Sequence, residues 1–209
     1  MTGGNKTTRK EAAAPAWQGP PALLRPLVLI GMPGSGKSAI GRALSARLGV
    51  PLHDSDAEIE AAAQASIAEI FARDGEAFFR AGEAKVIERL LAQRPPAVIA
   101  TGGGAFLSPA TRAAVAREGV SLWLDVALPV LWDRVRHKTH RPLLQTPDPR
   151  GRLAALLEER GPVYAEAALR IRVTREQRLD GAVEAVLAAI AAVPGLLRDP
   201  DTWTRSLPR

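Results

Sequence analysis

The stretch Leu27–Gly49, "LVLIGMPGSGKSAIGRALSARLG", decides the fold. Four consecutive apolar residues, Leu27 to Ile30, suit a strand buried on both faces of a sheet. The glycine-rich run Gly31 to Ser38 fits the pattern G-x-x-x-x-G-K-[ST], and "AIGRALSARLG" continues at helical spacing. Strand, loop and helix in that order form the setting in which such a loop holds phosphate. Glycine backbone turns there without steric cost and aims successive N–H groups at phosphate oxygens, at the positive end of a helix. Lys37 then reaches the β- and γ-phosphates of a nucleotide, and Ser38 ligates Mg²⁺, a hard cation that prefers oxygen donors. The cradle leaves the acceptor of the phosphoryl group open.

Downstream, short β-like runs alternate with helical patterns. "AVIATGGG" at 97–104 precedes a helical stretch at 109–117, "SLWLD" at 121–125 precedes 129–136, and "LRIRV" at 169–173 precedes 178–192. This alternation predicts a parallel sheet with helices on both faces. A faint strand around "VPLH" leads into "HDSD", and helices over 57–72 and 76–91 form an insertion after it. Residues 137–148, with two prolines and little periodicity, read as a mobile loop. Residues 1–24 mix Gly, Pro, Ala, Thr and base without a period and read as a disordered extension, with a transit peptide as the weaker alternative. One domain over 25–194 is expected, followed by a loose tail at 195–209.

The chain has 209 residues, no cysteine and a net charge of +6. Disulfides, thiolate metal sites and thiol nucleophiles are thereby excluded. No apolar run reaches the roughly 18 residues of a membrane span, and the expectation is a soluble, cytoplasmic protein with no membrane partner. Lys6, Arg9, Lys10 and Arg25 against Glu11, with Arg198, Arg205 and Arg209 against Asp199 and Asp201, put +4 of the +6 in the terminal segments. The remaining base lies beside glycine-rich or proline-bearing loops, which suits a small anion better than nucleic acid. The three histidines, His53, His137 and His140, lack metal-ligand spacing.

Three places could serve an acceptor. Asp54-Ser55-Asp56 follows the second strand, where one carboxylate could hold a Mg²⁺-bound water and the other a substrate hydroxyl; alternatively Ser55 or Asp56 caps the next helix. Gly102-Gly103-Gly104 ends another strand on the same sheet edge and permits either close ligand approach or a tight turn. Arg80 lies on a helix beside Phe78 and Phe79, both read as core. Arg134, Arg136 and Arg141 border or occupy the irregular loop, where an arginine can close over transferring phosphate. Arg160 stands before Gly-Pro and is read as a helix end.

Taken in order, "GMPGSGKSAIGRALSARLG", "DSDAEIE", "SIAEIFARDGEAFFRAGE", "TGGGA", "HRPLL" and "ERGPVYAEAA" resemble the shikimate kinases from about Leu27 to Val193. The resemblance implies an α/β P-loop fold in three layers, a five-stranded parallel sheet flanked by helices, similar to nucleoside monophosphate kinases. It implies transfer of the ATP γ-phosphoryl group to the 3-hydroxyl of shikimate, with Mg²⁺ as cofactor; a monomer is expected. The implied ATP-binding set is Gly34, Ser35, Gly36, Lys37, Ser38 and Ala39, with Arg134, Arg141 and Gln177. Asp56, Arg80, Gly103, Gly104 and Arg160 would bind shikimate, the two arginines at its carboxylate. Asp56 would orient or deprotonate the attacking hydroxyl, Arg141 would be the lid arginine, and Ser38 with Asp54 through water would hold Mg²⁺. The segment "RVTREQR" keeps Thr174 but lacks the aspartate and asparagine that often flank it in the family. Two other readings fit the cradle: a related kinase for an acceptor such as gluconate, and a catalytically silent nucleotide-binding regulator.

Overall fold

A computed structural model describes residues 22–137, 146–175 and 177–199. Strand β1 (Leu27–Ile30) is buried at every position and lies at the centre of a five-stranded, wholly parallel sheet. The strand order is β2 (Leu52–Asp54), β3 (Val98–Ala100), β1, β4 (Val120–Val126), β5 (Leu169–Val173). Register is continuous across the centre, with Leu29 opposite Ala100 on one side and Leu122 on the other. The apolar run at 27–30 therefore packs on both faces, as a parallel centre strand must. At the edge, β5 alternates partly buried and exposed positions, which puts Arg170 and Arg172 outward.

Helix α1 (Lys37–Leu48) follows β1 and buries Ile40, Leu44 and Leu48. Helix α2 (Ser55–Ala63) follows β2, and α3 (Ile67–Ala92) leads back towards β3. A short 3₁₀ turn at Ala105–Leu107 precedes α4 (Pro109–Glu118); α5 (Leu128–Val135) follows β4, α6 (Pro149–Tyr164) precedes β5, and α7 (Leu179–Ala191) follows it. Because all strands point one way, the loops after β1, β2 and β3 emerge on a single edge. That is the carboxyl edge, where open α/β sheets bind ligands.

Several expectations need correction. The helix expected over 57–72 is broken at Gln64, where φ is 50°. Ser66 then starts α3 with a reciprocal cap: its hydroxyl accepts from the Glu69 N–H, and the Glu69 carboxylate accepts from the Ser66 N–H at 2.7 Å. The expected gap near residue 75 is a kink inside α3, at Gly75 with φ 82° and ψ 170°. Phe78 is exposed, while Phe79 alone is core. Arg160 is not at a helix end, since α6 continues through Pro162 to the fully buried Tyr164. Proline removes one hydrogen bond of the last turn, but the buried ring of Tyr164 keeps that turn packed.

The packed body is also wider than 25–194. Ala22, Leu23, Leu196 and Leu197 belong to the core, Leu23 pairs with Leu197 in an antiparallel bridge, and the Ala22 N–H donates to the Leu48 carbonyl at 3.0 Å. Trp203 and the remainder of both terminal segments lie outside the described residues. Leu23→Ala should lower unfolding free energy by about 2–5 kcal/mol, the usual cost of emptying a buried leucine site. Urea denaturation measures it; a change of only a few tenths of a kcal/mol would mean that the clasp adds nothing to the core.

Candidate active site

The loop Gly31–Gly36 links β1 to α1, and Gly36, the N-cap of α1, has φ 100°. No side chain caps this helix and no acidic residue occupies its first turn. An N-terminus left in that state directs N–H groups and positive dipole outward, which is the arrangement an anion completes. Lys37 Nζ donates to the carbonyls of Gly31 and Met32 at 2.9 and 3.1 Å, so its ammonium lies across the loop. The Ser35 N–H donates to the Met32 carbonyl, and its hydroxyl is buried. The Ser35 amide thus closes the turn, while its buried hydroxyl makes no hydrogen bond among the described residues. From α5, Arg134 Nη1 reaches the Ser35 carbonyl at 3.3 Å, bringing a second cation to the same loop.

Ser38 Oγ donates to Asp54 Oδ2 at 3.0 Å. Its partner is the N-cap of α2, where Asp54 Oδ1 accepts from the Asp56 N–H at 3.1 Å. The cap is therefore Asp54, neither Ser55 nor Asp56. Among the described residues no group of three or more His, Cys, Asp or Glu could hold a metal. One hydroxyl beside one carboxylate fits Mg²⁺, which keeps most of its waters and takes further oxygens from phosphate.

Asp56 stands free of capping and turns towards the glycine triplet, where a Cβ on Gly102 would overlap its Oδ1. Burial, reinforced by Asp54 and opposed by Lys37 and Arg80, raises its carboxyl above the ordinary value of 3.8. Arg80 is fixed by Glu83 at 2.7 Å and by Glu76 at 3.2 Å. Glu83 is almost fully buried with Oε1 unpartnered, and burial raises its pKa despite the Arg80 guanidinium. On α6, Arg160 is 8% exposed and donates through Nη1 to the Gly103 carbonyl at 3.1 Å. Arg80 and Arg160 line one cleft of about 470 Å³ with Gly104, Arg152, Glu76 and Glu159.

The glycine triplet has a more specific purpose than a loose turn. A Cβ on Gly104 would sit 2.5 Å from Arg80 Nη1, and one on Gly103 would sit 3.0 Å from Pro33 and 3.3 Å from Arg160 Nη1. Each missing side chain makes room for a charged group or for the phosphate loop. The structure thus gathers Lys37, Ser38, Asp54, Asp56, Arg80, Gly103, Gly104, Arg134 and Arg160 along one sheet edge. Gln177 packs beside Gly181 in the first turn of α7, with its Oε1 buried and unpartnered. Arg141 lies outside the described residues. Sequence reasoning missed Glu83 and Tyr164; for Glu83, its i, i+3 spacing from Arg80 was the available signal.

Comparison with known proteins gives a consistent result. A family model described as shikimate kinase matches residues 33–191. A shikimate kinase of Ruegeria pomeroyi is 56% identical over 173 residues, covering 83% of this chain and 88% of that protein. One of Cereibacter sphaeroides is 51% identical over 175 residues, covering 84% and 87% respectively. Among solved structures, a shikimate kinase from Acinetobacter baumannii in complex with shikimate has a TM-score of 0.74 and 34% identity, covering 79% of this chain and 92% of that one.

The electrostatics of Asp56 yield a stability prediction. A carboxyl whose pKa rises on folding favours the native state below 3.8, and that contribution is lost as pH rises through the shifted value. Asp56→Asn removes the loss, so its melting temperature should equal or exceed that of the parent at about pH 7–8, with the difference closing towards about pH 4. Thermal melts across that range decide it. A variant less stable than the parent at neutral pH would contradict the burial argument.

Proposed function

Because the chain belongs to the shikimate kinase family, we propose that it transfers the γ-phosphoryl group of ATP to the 3-hydroxyl of shikimate. The products are shikimate 3-phosphate and ADP, on the route to chorismate and the aromatic amino acids. The observation that carries the reading is that Asp56 lies within electrostatic reach of both Lys37 and Arg80. One carboxylate links the phosphate end of the site to the end that would hold the acceptor's own carboxylate.

In this reading the N–H groups of the loop and first helical turn, from Gly34 to Ala39, bind the phosphates. Lys37 leaves the loop carbonyls to contact the β- and γ-phosphates. Ser38 Oγ and, through water, Asp54 are the groups that would hold Mg²⁺, which when bound offsets charge on the phosphate oxygens. Arg80 and Arg160 present planar guanidinium groups to the shikimate carboxylate, a match that an ammonium would not provide. The N–H groups of Gly103 and Gly104 face the bound ring. Asp56 accepts the proton of the 3-hydroxyl as its oxygen bonds to phosphorus and the bond from phosphorus to the β,γ-bridging oxygen breaks. Its raised pKa suits it to that proton. Arg134 and Gln177 serve the nucleotide, and Arg141, carried between α5 and α6, acts as the lid arginine over the phosphates.

The reading takes the working unit to be a cytoplasmic monomer. No described helix is long and apolar enough to cross a membrane. Body arginines such as Arg47, Arg89, Arg112 and Arg170 are paired with carboxylates, which supports small anionic ligands over nucleic acid.

ADP release with ATP and Mg²⁺ should require shikimate and should fail with gluconate in its place. Turnover with gluconate alone would overturn the assignment of acceptor. Lys37→Ala should abolish turnover with the fold retained by circular dichroism. Arg80→Ala should raise KM for shikimate about 10- to 150-fold, the equivalent of a charge-assisted hydrogen bond of about 1.5–3 kcal/mol, and leave KM for ATP nearly unchanged. Equal losses for both ligands would count against carboxylate recognition.

A further inference from the structure

Residues Gly102–Ala105 form a reverse turn, closed by the Ala105 N–H donating to the Gly102 carbonyl at 3.3 Å. Gly104, its third residue, has φ −102° and ψ −15°, the values of a type I turn. Rotating the central peptide, between Gly103 and Gly104, by half a revolution converts such a turn to type II without opening the closing bond. Type II needs positive φ at the third residue, which excludes most amino acids and suits glycine. With glycine at both central positions, the local sequence does not choose between the two.

The choice is made from α6. The Gly103 carbonyl accepts from Arg160 Nη1 at 3.1 Å and also from the hydroxyl of Tyr164. Tyr164 is fully buried, and its ring packs against Trp123 with centroids 6.0 Å apart. It therefore aims a rigidly held donor at one orientation of the peptide. A trans peptide sets its N–H opposite its carbonyl, so the Gly104 N–H is turned away from Tyr164 and Arg160. Neither the Gly103 nor the Gly104 N–H makes a hydrogen bond among the described residues. A flipped peptide would present a carbonyl oxygen in place of that donor.

We propose that Tyr164 is a positioning residue for the acceptor: its hydroxyl latches the 103–104 peptide in the type I orientation and thereby fixes the Gly104 N–H as a donor to the substrate. The role rests on the function proposed above and adds to it a residue that acts through the backbone, without touching either ligand. Arg160 divides its guanidinium between this carbonyl and the acceptor's carboxylate, and the Tyr164 hydroxyl supplies the carbonyl with a second donor. The phenol has no competing partner among the described residues apart from Arg160 itself.

Tyr164→Phe is the test, since it keeps the ring and its contact with Trp123 while deleting the donor. KM for shikimate should rise about 5- to 10-fold, with kcat and KM for ATP within about twofold of the parent. In the ligand-free protein labelled with ¹⁵N-glycine, the Gly104 amide should be one sharp resonance in the parent and doubled or exchange-broadened in the variant. An unchanged KM with an unaltered Gly104 resonance would overturn the proposal, as would parallel losses for both substrates together with a lowered melting temperature, which indicate packing alone. Should the parent itself release no ADP with shikimate, the assigned function fails. The Gly104 resonance of the ligand-free variant then still decides the latch.

Discussion

The complete burial of β1 between β3 and β4 is the constraint on which the rest of this structure depends. A four-residue strand with both faces packed has no freedom to move, and it delivers the chain directly into the phosphate loop and the uncapped start of α1. The loop's positive φ values and the clear helix terminus are local features, but their direction in space is inherited from that strand. Parallel pairing on either side then brings the ends of β2 and β3 to the same edge. Ser38 can meet Asp54, and Gly102 can crowd Asp56, only because these three strands end level with one another.

Charge is arranged on this edge at a cost to stability. Asp56 and Glu83 are buried carboxylates near each other's field, both with raised pKa, and the cations Lys37, Arg80 and Arg160 only partly compensate. A fold selected for stability alone would place apolar residues there. What the arrangement supplies is preorganisation: Arg80 is held by two carboxylates and Arg160 by a backbone carbonyl, so neither must be ordered when an anion arrives.

Much of this was legible in local patterns. The phosphate loop, the strand preceding it and the helix following it are adjacent in sequence, and β5 has the bounds that its apolar run predicts. Legibility ended where contacts are distant. Nothing near Arg160 indicates that its partner is Gly103, 57 residues away, and nothing near Tyr164 indicates the same carbonyl. The Gly161-Pro162 pair looked like a helix stop because proline's local penalty is readable and the burial that overrides it is not. The break before α3 differs, since Ser66 and Glu69 carry a recognisable capping pattern that a continuous apolar period concealed. Phe78 and Phe79 are adjacent aromatics downstream of the kink at Gly75, and which one faces inward is decided by tertiary packing that adjacency in sequence does not reveal.

The clasp between Leu23 and Leu197 has a topological meaning. The Ala22 N–H is bonded to Leu48, the last residue of α1, and α1 starts at the phosphate loop. Twelve helical residues separate the two ends of α1 by about 18 Å, so the clasped segments at Ala22–Leu23 and Leu197–Arg198 lie together, remote from the chemistry. Because Ala22 and Arg198 are hydrogen-bonded neighbours, the chain could be closed between them and opened elsewhere, giving a circularly permuted enzyme with its sheet order intact. The same proximity makes this corner the natural point of attachment for a fused domain, which would hang from the base of α1 and leave the ligand-binding edge open.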